Sequence, residues 1–143
     1  MDEPDLVDID RLTDSQARML HSLYQDEWWT RGRTLPDSLT MLRRTDHVFG
    51  ICEHGTGRLL AFARALTDGA FKAFVFDVIV AKESRGRGLG SRLMRRIVEH
   101  PDLRPVKHVE LACLPELETF YERLGFTTDV GGIRLMRRTR RGS

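Results

Sequence analysis

The sequence predicts an α/β fold with a mixed sheet, and three observations carry that expectation. Residues 71–81 form a near-continuous apolar run of strand length, the pattern of a central strand buried on both faces. The glycine-rich stretch Arg85-Gly86-Arg87-Gly88-Leu89-Gly90 follows and opens an amphipathic helix. Val106–Cys113 then reads as a further strand, so strand, helix and strand make a βαβ crossover whose two strands run parallel. At 143 residues the chain suits one domain, 1–143, and is too short for two.

Each element has a local cause. Thr13 or Asp14 caps a helix reaching Tyr24, with an apolar stripe through Ala17, Leu20, Leu23 and Tyr24. Leu35–Arg44 reads as a second helix with Pro36 in its first turn. Strands His47–Glu53 and Arg58–Leu66 flank the turn His54-Gly55-Thr56-Gly57, and Asp68-Gly69 turns into the central strand. In the helix after the glycines, Leu89, Leu93 and Ile97 stack beside Met94 and Val98, while Arg92, Arg95 and Arg96 fall mostly on other faces. A last helix, Pro115–Leu124, carries the stripe Leu117, Phe120, Tyr121, Leu124 and stops at Gly125. Phe126–Thr128 and Ile133–Arg138, separated by Gly131-Gly132, predict the closing strands.

No window approaches the roughly 20 apolar residues of a membrane helix. The opening Met1-Asp2-Glu3-Pro4-Asp5 lacks the basic and apolar regions of a secretory signal, so a cytoplasmic protein is expected. Cys52 and Cys113 form no C-x-x-C and read as buried free thiols. His47, His54, His100 and His108 show no i, i+4 pair, so no metal site is expected. Residues 1–30 carry eight acids and two bases, which leaves an excess of +8 on the remainder. Two basic clusters supply most of it: Lys82, Arg85, Arg87, Arg92, Arg95 and Arg96, and the terminal Arg134, Arg137, Arg138, Arg140 and Arg141. The terminal cluster reads as a solvated face. The first coincides with the glycines, where backbone N–H groups and a helix N-terminus can hold a phosphate. No Gly-Lys-Ser/Thr follows, so this is not a P-loop, and the chain beyond is too short to complete a doubly wound dinucleotide domain.

At these residues the sequence resembles the GNAT superfamily of acyl-CoA-dependent N-acyltransferases. That family's loop reads Arg/Gln-x-x-Gly-x-Gly/Ala, and Arg85, Gly88 and Gly90 stand in those places after a strand ending Val78-Ile79-Val80. Phe120-Tyr121-Glu122-Arg123-Leu124-Gly125-Phe126 is similar to its Phe-Tyr-x-x-Leu-Gly-Phe segment. The resemblance covers residues 46–138, the core; residues 1–45 match in helix order alone, on the variable acceptor side. It implies a twisted mixed sheet of about six or seven strands flanked by about four helices. It also implies transfer of an acetyl group from acetyl-CoA to a primary amine by direct attack in a ternary complex. The coenzyme would lie on Ile79, Val80, Arg85, Gly86, Arg87, Gly88, Leu89, Gly90 and Ser91, its pyrophosphate on loop amides and its pantetheine arm between two splayed parallel strands. A homodimer is common in the family.

Acyl transfer needs a neutral amine, a polarised carbonyl and a proton for the departing thiolate. The resemblance makes Tyr121 the general acid; by composition alone it is a core tyrosine. Asp77 interrupts an apolar run and shares alternation with Val75 and Ile79, so desolvation should raise its pKa. It reads as base or amine ligand, or as a structural hydrogen-bonding group. One of Trp28 and Trp29 is a candidate for lining the acceptor pocket beside Arg31 or Arg33, with packing the alternative for both, and Glu110 is a second pocket acid or an exposed strand residue. The rival is a non-catalytic acyl-CoA or nucleotide-binding module. Nucleic acid is not expected, because no aromatic RNA-recognition signature accompanies the arginines.

Overall fold

A capping box starts the first helix. The Thr13 hydroxyl accepts from the Gln16 N–H at 3.1 Å, and the Gln16 side chain accepts from the Thr13 N–H at 3.0 Å. In the computed structural model, which describes residues 5–140, α1 spans Asp14–Asp26 and α2 spans Leu35–Arg44. Thr34 caps α2 by accepting from the Asp37 N–H at 3.2 Å, and Pro36 occupies its first turn, where no amide donor is needed.

The chain divides after Ala112 into two compact units, and the first holds the sheet. Its strands are β1 (Leu6–Ile9), β2 (His47–Glu53), β3 (Leu59–Thr67), β4 (Lys72–Val80) and β5 (His108–Leu111), in the spatial order β1-β2-β3-β4-β5. Neighbours from β1 to β4 are antiparallel, and β4 and β5 are parallel, joined by α3 (Leu89–Glu99) as the crossover pattern requires. In the second unit a short 3-10 turn, Pro115–Leu117, leads into α4 (Glu118–Glu122).

The described residues therefore contain five strands, which corrects the expected six or seven. One strand, β1, has no place in the sequence reading: four residues are too few to show alternation, and its pairing with β2 holds it. Phe126–Thr128 and Ile133–Arg138 are not strands. Gly131 and Gly132 both turn at positive φ, and the Ile133, Leu135 and Met136 side chains are exposed. The arginines of this segment described in the structure are exposed, as a solvated face requires; Arg141 lies outside the described residues.

Strand β3 divides the core between two faces. Phe62 packs with Leu20, Tyr24, Leu59 and Ile79 under α1. Its neighbours Ala61, Ala63 and Ala65 point the other way, and Ala63 pairs with Phe49, whose ring lies beneath the Arg96 guanidinium of α3 at 5.5 Å. Small residues on that face let α3 approach, and Leu89, Leu93, Met94 and Ile97 bury its apolar stripe. Burying four such side chains fully contributes on the order of 6–12 kcal/mol before entropy. No helix among the described residues is long and apolar enough to cross a membrane.

Candidate active site

The parallel pair β4/β5 ends early. Its register runs from Lys72 opposite His108 to Val75 opposite Leu111, while β4 continues to Val80. From Phe76 onward one edge of β4 has no strand beside it among the described residues.

A β-bulge sits where the pair parts. On the β3 side the register shifts between Phe62, opposite Ile79, and Arg64, opposite Phe76, so Asp77 and Val78 together face the single residue Ala63. Asp77 takes φ +57°, the only positive φ of a non-glycine residue among those described. Aspartate tolerates this region better than most residues, at a cost of about 1 kcal/mol or more. The bulge also inverts the alternation. Phe76 stands with Arg64 and Ile79 with Phe62 on the α1 face, so the expectation that Val75 shares a face with Asp77 and Ile79 is corrected.

The Asp77 side chain is 4% exposed and meets three partners. The Tyr24 hydroxyl donates to Oδ2 at 2.9 Å, Arg33 donates to Oδ2 at 2.7 Å and to Oδ1 at 3.2 Å, and Arg64 Nε donates to Oδ2 at 2.9 Å. Burial pushes the carboxyl up, but the hydrogen bonds and charges of Arg33 and Arg64 outweigh it and hold Asp77 below the ordinary carboxylate range. The expected raised pKa is thus corrected. Burial first, and then the charge and hydrogen bond of Asp77, push the Tyr24 phenol up strongly against the opposing charges of Arg33 and Arg64. Arg33 stacks over Tyr24 at 4.6 Å and Arg64 over Phe76 at 4.5 Å, so both guanidiniums are braced by rings. Two guanidiniums against one carboxylate leave one positive charge in excess.

Beyond β4, the 3-10 turn Lys82–Ser84 leads into the glycine loop. Gly86 and Gly88 adopt φ +81° and +76°, and a Cβ built on either would meet no protein atom within 4 Å. Glycine is required there by backbone conformation, and the space above the loop is open. Gly88 is the N-cap of α3, and no side chain caps that helix. Its first-turn N–H groups and the positive end of the helix dipole therefore face an approachable surface. Leu89 and Ile79 have buried side chains, so only their backbones could meet a ligand; Gly90 and Ser91 are half-buried in the first turn. Arg85 donates through Nε to the Val80 carbonyl at 3.2 Å and pairs with Glu27 at the end of α1, which ties the loop to that helix. Arg87 is exposed.

The remaining candidates are scattered. Trp28 and Trp29 are 68% and 40% exposed, so neither belongs to the core, and Arg31 donates to the Gln25 carbonyl at 3.2 Å on the same surface turn. Glu110 pairs with Lys72 at 2.9 Å at the closed end of the β4/β5 pair. In the second unit Tyr121 is buried, edge-on to Phe120 and Phe126 at 4.9 and 6.0 Å, and its phenol is pushed up to about 12, chiefly by burial and then by Cys113. Both cysteines are free; Cys52 is buried, but Cys113 is exposed, contrary to expectation. Sequence reasoning missed Tyr24, Arg64 and Glu27. The signal for Arg64 was present: a lone cation in an apolar strand, one hairpin away from a lone acid in the next.

A parallel strand pair that opens in front of an uncapped, glycine-led helix places a free sheet edge beside a helix N-terminus in an α/β fold. The chain belongs to the acetyltransferase (GNAT) family, whose model matches residues 6–126. A crystal structure of a protein belonging to that family from Xanthomonas campestris pv. campestris superposes with a TM-score of 0.78 at 31% identity, covering 95% of this chain and 94% of that one. Among curated proteins, the chain is 42% identical over 80 residues to the chloroplastic serotonin N-acetyltransferase 2 of Oryza sativa subsp. japonica, covering 56% of this chain and 40% of the relative. It is 41% identical over 88 residues to glucosamine 6-phosphate N-acetyltransferase 1 of the same rice, covering 57% and 53%. The chain thus spans about half the length of the curated relatives it matches.

Proposed function

We propose that the protein is an N-acetyltransferase that moves an acetyl group from acetyl-CoA to a primary amine by direct attack in a ternary complex. The observation that carries this reading is the early end of the β4/β5 pair at Val75 and Leu111, with β4 running on into the open glycine loop and the uncapped start of α3. The backbone of Ile79 and Val80 would hold the pantetheine arm along that edge. The amides from Arg85 to Ser91 would hold the pyrophosphate, since a Cβ-free, uncapped turn fits an anion. Acetyl-CoA supplies the thioester; the amine nitrogen bonds to its carbonyl carbon, the carbon–sulfur bond breaks, and the sulfur takes a proton.

Tyr121 is the proposed donor of that proton. A phenol pushed up to about 12 stays protonated at neutral pH, as a general acid must. Cys113 is not proposed to carry the acyl group, because burial and then the charges of Glu118 and Glu116 push its thiol up, away from the thiolate. Asp77 is assigned to positioning. Its oxygens accept four hydrogen bonds from Tyr24, Arg33 and Arg64, three on Oδ2 and one on Oδ1, and against burial the two guanidiniums hold the carboxyl below the ordinary range, which makes it a weak base. The proton leaving the amine then goes to water. The excess guanidinium charge beside the bulge favours an acceptor that binds as the neutral amine, the form that attacks.

The test is thermal shift with acetyl-CoA, NAD and ATP side by side, followed by assay of free CoA thiol with a panel of amines. Stabilisation by acetyl-CoA alone together with amine-dependent thiol release is expected. Stabilisation without release from any amine would favour the acyl-CoA-binding module, and stabilisation by NAD or ATP instead would overturn the coenzyme.

A further inference from the structure

We propose that His47, His100 and Asp102 form a binding site for a divalent transition metal ion, zinc being the ion their donor set suits, at the end of α3 away from the glycine loop. His47 opens β2, His100 ends α3, and Asp102 lies in the turn behind it. Sequence separates the two histidines by more than fifty residues, but one ligating atom from each of the three side chains lies within 4.8 Å of the others. The pair His47 Nε2 and Asp102 Oδ2 is at 3.6 Å, close to the roughly 3.3–3.4 Å edge of a tetrahedron with zinc bonds of about 2.0–2.1 Å. The two imidazole rings lie 4.5 Å apart between centroids. Two imidazoles and a carboxylate are an N,N,O set for zinc, with the fourth position left to water.

The surroundings favour a cation. The adjoining cavity, about 460 Å³, contains both histidines and is lined by Asp10, Asp46 and Glu99 against Arg96, whose guanidinium is turned to the carbonyls of Gly50 and Ile9. The Asp102 N–H donates to His100 Nδ1 at 3.1 Å; a metal on that nitrogen exchanges the hydrogen bond for a coordinate bond. Among the described residues no other such group of histidines, cysteines and acids occurs. The eleven residues of α3 put about 16 Å between this end and Gly88. The ion therefore staples α3 to β2 without covering the coenzyme loop.

The experiment uses metal-stripped protein in a Cys113→Ser background, which removes the exposed thiol as a ligand. Zinc chloride is titrated by calorimetry and thermal shift, and cobalt(II) by visible absorption. One ion per chain, a higher melting temperature with zinc, and a four-coordinate cobalt spectrum without sulfur charge transfer are expected. His47→Ala and His100→Ala should each weaken zinc binding at least about tenfold, Asp102→Asn should weaken it too, and His108→Ala should not. Circular dichroism checks each fold, and Asp102, 67% exposed, can be changed without disturbing the core. Acetyl-CoA affinity should be equal with and without zinc. Unchanged zinc affinity in the His47→Ala/His100→Ala double variant or in Asp102→Asn, or non-saturating uptake, would overturn the site.

Discussion

The Tyr24 hydroxyl reaches the Asp77 carboxylate across 53 residues of sequence and shares Oδ2 with Arg33 and Arg64. The contact joins α1 to β4 at the bulge, so the helix that varies with substrate in the resemblance is anchored at the point where the parallel strands part.

Asp77→Ala would leave two guanidiniums facing an apolar gap. Removing one partner of a buried pair costs about 3–5 kcal/mol; since Arg33 remains about a third exposed, the expected loss is nearer 2–3 kcal/mol. Asp77→Asn keeps the shape and should cost less. The pH dependence has a definite sign. The folded carboxyl titrates below its unfolded value of about 3.9, so its contribution is present above that value and is lost as pH falls through the folded one. Denaturant melts of wild type and Asp77→Asn should converge on acidification; a constant gap would remove the ionised carboxylate from the account.

Gly88→Trp should weaken CoA binding at least about tenfold, because any side chain at positive φ costs about 1–2 kcal/mol and a large one occupies the space above the loop. Arg87→Ala should cost less, since the proposed ligands are backbone amides. Calorimetric titration of CoA against both variants checks the order; normal affinity in Gly88→Trp would remove the loop from the site.

Tyr121→Phe removes one hydroxyl and little packing area, so CoA affinity should persist while turnover falls by about 10²–10⁴-fold. Because the phenol is pushed up to about 12, wild-type turnover should hold through pH 10, where an ordinary tyrosine is half ionised. Stopped assays across pH 7–11 on both proteins test this, and wild-type rates in the phenylalanine variant would return Tyr121 to the core.

Legibility followed the range of the interactions. The cap at Thr13 and the glycine-led helix rest on contacts within a few residues, and the sequence displays them directly, as it displays the apolar runs on either side of the crossover. Asp77 was visible as an anomaly in an apolar run, but its state was not, because desolvation is local whereas Arg33 and Arg64 arrive from 44 and 13 residues away. The bulge was hidden for the same reason: an inserted residue changes no composition, only which face each later side chain takes. The terminal strands were overcounted because a short segment beside glycines reads alike as strand or loop, and the exposed Ile133 and Leu135 bury no area to hold one.

Among the described residues no strand pairs with the outer edge of β4 from Phe76 to Val80. Its backbone groups on that side are a template for any extended chain, the exposure that natural sheets usually blunt with charge or proline. Only Asp77 among these five residues is charged, and its side chain is spent on Tyr24, Arg33 and Arg64. A bound pantetheine arm would occupy the groove as a surrogate strand. On the proposed function, empty protein would then be the more aggregation-prone form, and amide hydrogen exchange along this stretch would slow as acetyl-CoA is added.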